Sequence, residues 1–153
     1  MDTAAGYREP GFLTRRIMNP FVLIMMRVGI SVWGSRILEV RGRRSGIVRR
    51  TPVNLLDVEG RHYLVSPRGE TQWVRNVRSD GGRLVLILGH RRQEQFAEEL
   101  PDSEKVPILR AYLRRWKMEV GVFFGGVTAD SEEDDVLRIA ADHPVFVLAP
   151  APR

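Results

Sequence analysis

The 153-residue chain has no cysteine, only two lysines (Lys105 and Lys117) against twenty-two arginines, and no apolar run long enough to cross a bilayer. Lacking cysteine, it has no thiol nucleophile, no disulfide framework and no thiolate metal site, which suits a reducing cytoplasm. Redox chemistry here needs a borrowed cofactor. The most apolar stretch, Phe21-Val22-Leu23-Ile24-Met25-Met26, is cut by Arg27 and falls far below the ~20 residues of a spanning helix. It reads as a docking helix whose partner is the core, a second subunit or a membrane surface. The acidic start at Asp2, without a basic n-region, predicts no ordinary secretion signal. His62, His90 and His143 are scattered without ligand spacing, so no metal site is expected. Neither Ser45 nor Ser66 has a base partner in view for hydrolysis. Aromatics interleave with the basic residues only at Tyr63 and Trp73, which argues against a nucleic-acid surface.

What the chain has in excess is arginine, within a net charge of +5. A guanidinium presents a planar fork that grips phosphate or carboxylate oxygens two at a time, which a lysine cannot do. A GC-rich genome would produce the same bias without any function. The charge is also segregated, with basic residues crowded between Arg36 and Arg92 and acids collected at Glu94 to Glu104 and Asp130 to Asp135. An anionic ligand is therefore expected at the middle of the sequence. A chain of this length folds as one domain that buries ~70% of its unfolded surface. Residues 1–35 read as a helical segment and 36–153 as the main domain.

Apolar spacing predicts a helix over about 12–33, broken at Asn19-Pro20. From Arg36 the period changes to short alternating runs at 37–41, 48–58 and 61–66, with Glu59-Gly60 as a turn, then an apolar strand over 83–89 paired with 91–96 through Gly89-His90. Pro101-Asp102-Ser103 introduces a helix carrying Val106, Leu109, Leu113 and Trp116, with Ser103 as its cap and Pro107 early enough to be tolerated. A second helix starts at Ser131, with Glu132, Glu133, Asp134 and Asp135 complementing its positive end. His143-Pro144 breaks that helix, and Val145 to Leu148 form a last strand. Strands first and helices later predict an α+β, mainly β fold, a small barrel or strongly curved sheet with helices outside.

Two clusters carry the chemistry. Gly42-Arg43-Arg44-Ser45-Gly46-Ile47-Val48-Arg49-Arg50-Thr51-Pro52 joins a glycine-flanked turn to four arginines and a hydroxyl, and predicts inward backbone N–H groups and guanidinium forks around a polyanion. An arginine-rich surface hairpin is the plainer alternative. The second cluster runs from Tyr63 to Asn76, where a strand ends in Ser66-Pro67-Arg68-Gly69 and one helical turn separates Trp73 from Asn76. It would aim Arg68, Arg75 and Asn76 into the cleft of the first turn. Trp73 as a core residue is the alternative there.

Together the clusters resemble the deazaflavin-dependent nitroreductase family of actinobacteria, small split β-barrels related to flavin-binding pyridoxamine-oxidase-like proteins. The family's Gly-Arg-Lys/Arg-Ser/Thr-Gly turn, followed by Arg and Pro, is similar to Gly42, Arg43, Arg44, Ser45, Gly46, Arg49 and Pro52, and its Trp-x-x-Asn segment to Ser66, Arg68, Gly69, Trp73 and Asn76. The resemblance implies a split barrel of about six antiparallel strands and a cytoplasmic F420-dependent oxidoreductase that passes hydride to a quinone, nitroaromatic or enone. FMN is the alternative cofactor, and non-catalytic binding of deazaflavin or anionic lipid the alternative role. Homodimers are frequent in such barrels. By the resemblance, Arg43, Arg44, Ser45, Gly46, Arg49 and Arg50 hold the anionic end of the coenzyme. Thr51, Pro52, Val53 and Asn54 line the ring, and Val65, Ser66, Pro67, Arg68, Gln72, Trp73, Val74, Arg75 and Asn76 complete the pocket. No protein nucleophile is needed, and Ser66, Trp116 and Phe124 are substrate-side candidates. Where nitro-reducing members carry a Gly-Gly pair in a longer loop and several tyrosines near the substrate, this chain has Gly69-Glu70 and offers Tyr112, Trp116, Phe123 and Phe124.

Overall fold

The computed structural model describes residues 34–152, apart from the side chains of 117–120. The helix expected over 12–33 lies outside the described residues. Within them the order is β1 (Ser35–Arg41), β2 (Val48–Asn54), β3 (Leu56–Val58), β4 (Arg61–Val65), α1 (Gln72–Ser79), β5 (Arg83–Leu88), β6 (Arg91–Glu99), α2 (Val106–Val120), α3 (Glu133–Ala140) and β7 (Val145–Pro150). The strands make a seven-stranded sheet in the order β2-β1-β5-β6-β7-β4-β3, the mainly β architecture with flanking helices that the strand spacing predicts.

Seven strands appear where about six were expected because the run over 48–58 is divided. Residues before Leu55 pair with β1 and residues after it pair with β4, while the buried Leu55 donates its N–H to the carbonyl of Gly34 at 2.8 Å. Pro52 is accommodated inside β2 because β2 is the end strand of the order, where a residue without an N–H need not cost a ladder bond. The turn joining β3 to β4 is Glu59-Gly60, with φ of 52° and 81°. Two left-handed residues make the tight hairpin that follows strand twist, and this sets the register Val58↔Arg61.

The chain divides into two compact units. The first, 56–71 with 98–147, is built around an aromatic and aliphatic core of Leu56, Tyr63, Leu109, Tyr112, Leu113, Trp116, Phe124 and Val136. Apolar residues of α2 recur at steps of three and four, so one face is buried continuously until the backbone leaves helical geometry at Trp116 (φ −121°, ψ 28°). Ser103, expected as the cap of α2, lies instead in a 3-10 turn over Asp102–Glu104. The residue immediately before α2 is Lys105, only 3% exposed. Its ammonium donates to the carbonyl of Ala140 and pairs with Asp102, both at 2.8 Å. Those partners offset the cost of burying the charge, and a cation suits the negative C-terminal end of α3. Helix α3 begins at Glu133, two residues later than expected, because Ser131 Oγ is used to accept the N–H of Thr128 at 2.9 Å.

The second unit comprises 34–55, 72–97 and 148–152 among the described residues. Leu38, Val40, Leu84 and Leu86 share one face of its sheet by alternation and register and are all buried. Helix α1 buries Val74, Asn76 and Val77 and packs on β1.

Candidate functional site

The arginine turn closes on itself. The N–H of Gly42 donates to Ile47 O at 2.8 Å, that of Gly46 to Gly42 O at 2.9 Å, and that of Ile47 to Ser45 Oγ at 3.1 Å. A Cβ on Gly42 would stand 2.9 Å from Ile47 O, so only glycine permits that closure, and Gly46 holds φ 72°. Three of the six N–H groups over 42–47, those of Gly42, Gly46 and Ile47, are therefore used inside the turn.

The two motifs meet at Asn76. Its Oδ1 accepts the backbone N–H of Arg43 at 3.2 Å and the Arg43 Nη1 at 2.8 Å, while the same Nη1 donates to Gln72 Oε1 at 2.9 Å. Asn76 is 4% exposed, held by the buried face of α1. Gln72 and Asn76 stand four residues apart, so they project from one face of the helix toward the turn. The side chains of Arg44 and Arg49 are exposed and form no salt bridge or hydrogen bond among the described residues.

Strand alternation separates Arg49 from Arg50. Arg49 is paired with Val40 and Arg50 with Glu39, so their side chains leave opposite faces of β2. Glu39 is buried, and its two oxygens take Arg50 Nε at 2.9 Å and Arg92 Nη2 at 2.7 Å. The Arg92 hydrogen bond, helped by Arg50, holds the Glu39 carboxyl below the ordinary carboxylate range, while burial opposes the shift; Arg92 is correspondingly pushed up, first by its hydrogen bond to Glu39. This triad was not anticipated. It was legible in principle, because a hairpin closed at Arg41↔Val48 necessarily sets Glu39 opposite Arg50.

Of the remaining candidates, Thr51, Val53 and Asn54 are half-buried on β2 and Pro52 is exposed. On α1, Trp73 and Arg75 are half-buried and Val74 is fully buried. Val65, Ser66, Pro67 and Arg68 belong to the first unit. There the buried Ser66 donates its hydroxyl to Gly69 O at 2.6 Å and its N–H to Pro144 O at 2.9 Å, closing the 66–69 turn. Its carbonyl lies 3.4 Å from Nδ1 of the buried His143, whose ring stacks on Phe124 at 4.2 Å. Trp116 and Phe124, considered for the substrate side, are each 1% exposed in the core of the first unit, where Tyr112 touches both rings. A groove of about 580 Å³ lined by Val85, Arg92, Gln93, Glu94, Gln95 and Pro150 contains no residue of either motif. Among the described residues no group of three or more His, Asp or Glu is placed to hold a metal, and no helix is long and apolar enough to cross a membrane.

The fold is shared with solved structures that include a domain-swapped dimer (TM-score 0.56, 15% identity, covering 89% of this chain and 96% of that one) and the F420-H2 dependent reductase FDR-A (TM-score 0.53, 16% identity, covering 76% and 94%). A FAD-binding protein of Mesorhizobium loti is also similar (TM-score 0.52, 14% identity, covering 85% and 89%). At these identities the likeness is one of fold alone. No curated protein matches the chain in sequence. The chain belongs to the F420H(2)-dependent quinone reductase family, which matches residues 23–123. It is thus an F420-dependent reductase, whose hydride passes from the reduced deazaflavin to a small electron-poor acceptor of the quinone kind.

Proposed function

We propose that the arginine turn holds the anionic end of F420 and that β2 and α1 flank its ring, so that this chain reduces quinones. The observation carrying this reading is the turn itself, fixed by Asn76 and displaying Arg44 and Arg49 without any acidic partner among the described residues. Unneutralised guanidinium groups on a rigid turn fit a phosphate and carboxylate tail, because the charge-assisted bonds form without first breaking an ion pair. Bound F420 supplies the hydride. The chain's own residues bind and orient. Arg44 and Arg49 grip the tail, Ser45 keeps its hydroxyl proton free to donate, and Thr51, Pro52, Val53 and Asn54 offer one wall to the ring. Trp73 and Arg75 on α1 extend that wall. Val65, Ser66, Pro67 and Arg68 lie in the other unit, where the Ser66 hydroxyl acts on its own turn.

FMN remains the second cofactor reading, supported by the fold shared with the FAD-binding protein. A homodimer is supported by the likeness to a domain-swapped dimer, and a cytoplasmic enzyme by the absence of cysteine. Parallel fluorescence titrations with F420 and FMN test the assignment. Tight F420 and weak FMN binding, followed by quinone reduction with F420H2, is the expected result. Failure of F420 to bind removes the turn as its site. Flotation with anionic vesicles, with and without residues 1–32, tests a peripheral membrane contact and is expected to separate the two forms if the N-terminal segment makes it.

A further inference from the structure

The geometry points to Asn76 as a positioning residue that acts through Arg43, leaving capture of the ligand's anionic end to Arg44 and Arg49; this rests on the proposal that F420 occupies the arginine turn. Two N–H donors converge on one Asn76 atom, which identifies that atom as the oxygen and occupies both of its lone pairs. That carbonyl is committed to Arg43, tying its backbone and its guanidinium to one point on α1. The Arg43 Nη1 is equally committed, since its two protons go to Asn76 and Gln72. Burial of Asn76 on α1 makes the bracket rigid, and the backbone bond to Arg43 carries that rigidity into the turn.

The chemistry of the bracket differs from that of the neighbouring triad. Arg50 and Arg92 are held by a carboxylate, which cancels one of their two charges. Arg43 is held by two neutral amides, so its position is fixed while its full charge stays in the field that an incoming anion meets. Arg44 and Arg49 then bind on a turn whose ordering cost was met on folding.

A double-mutant cycle with a ligand-free control tests this. In the free protein, Asn76→Ala is expected to abolish the hydrogen-exchange protection of the Arg43 amide, and unchanged protection would overturn the bracket whether or not F420 binds. With F420, Asn76→Ala is expected to weaken binding about tenfold in the parent protein but less than about threefold in an Arg43→Ala background. Affinity for a deazaflavin lacking the phosphate tail should stay within about twofold in both backgrounds, which a general loss of structure would not allow. A tenfold loss in both backgrounds would make Asn76 a direct ligand contact and sink the inference. Absence of F420 binding by the parent protein would instead remove the coenzyme from the turn, with the exchange result still deciding the bracket.

Discussion

In the unit formed by 56–71 and 98–147, Lys105, the one buried lysine or arginine among the described residues, is spent on the fold, joined to Asp102 and the end of α3. In the unit formed by 34–55, 72–97 and 148–152, arginines stay near the surface in three different states: paired to a carboxylate (Arg50, Arg92), bracketed by amides (Arg43), or unpartnered among the described residues (Arg44, Arg49). The contrast separates charge used for stability from charge kept available for a ligand. Burial with full partners makes a cation structural. Exposure without an acid leaves it available, because no ion pair must be broken before an anion arrives.

The largest expected effect breaks the structural side. Trp116→Ala removes a fully buried ring from contact with Tyr112 and should destabilise by ~3–5 kcal/mol in chemical denaturation. Because Trp116 belongs to the apolar core, the loss should appear in stability. Lys105→Ala should cost ~1–3 kcal/mol by leaving the Ala140 carbonyl with only the His143 N–H at 3.2 Å and removing the ion pair with Asp102, and Lys105→Met, which replaces neither contact, should not recover it. On the functional side, Arg44→Ala and Arg49→Ala should each weaken F420 binding by ~1–3 kcal/mol with unfolding midpoints unchanged. Equal affinity in both variants would move the tail elsewhere. Arg43→Ala should lower both affinity and the melting temperature, since its guanidinium is bonded to Gln72 and Asn76.

The Glu39 triad sharpens the comparison through pH. Its folded-state carboxyl lies below its unfolded value, so its stabilisation is complete above the unfolded range of about 4.3 and is lost as pH falls through the lower folded value. Glu39→Gln should therefore flatten the acid limb of the stability profile, and an unaltered limb would assign acid sensitivity to other carboxylates. The smallest effect expected is that of Asp135→Ala, which removes an exposed pair with Arg138 at 2.8 Å and should cost ~0.2–0.5 kcal/mol, less at high salt.

Elements with a strong local signal were legible in the chain itself. The apolar run over 83–88, the Glu59-Gly60 turn and the three-and-four spacing of α2 each follow from side-chain period and backbone sterics within a few residues. The division at Leu55 was not, because nothing local distinguishes one alternating run from two whose partners are β1 and β4. Ser103 as a helix cap was a sound local expectation that a long-range contact displaced, since Lys105 reaches Ala140 thirty-five residues away. The candidate site divides in the same way. That the turn at 42–47 and the segment ending in Asn76 belong together was readable from their residues, whereas the internal use of the turn's N–H groups was not.

By itself, the sequence determined the supply of chemistry: no thiols, an excess of forked cations concentrated around one glycine-flanked turn, and strands before helices. These are properties of side chains and of local backbone preference, and they survive any arrangement of the elements. Which arginine is free to meet a ligand was decided only by tertiary structure. Arg43, Arg44, Arg49 and Arg50 are nearly adjacent and chemically identical, and register alone set Arg50 against Glu39, while packing of α1 on β1 brought Asn76 to Arg43. A partner supplied from a distant strand or helix is a long-range event, and no local reading of four like residues can distinguish them.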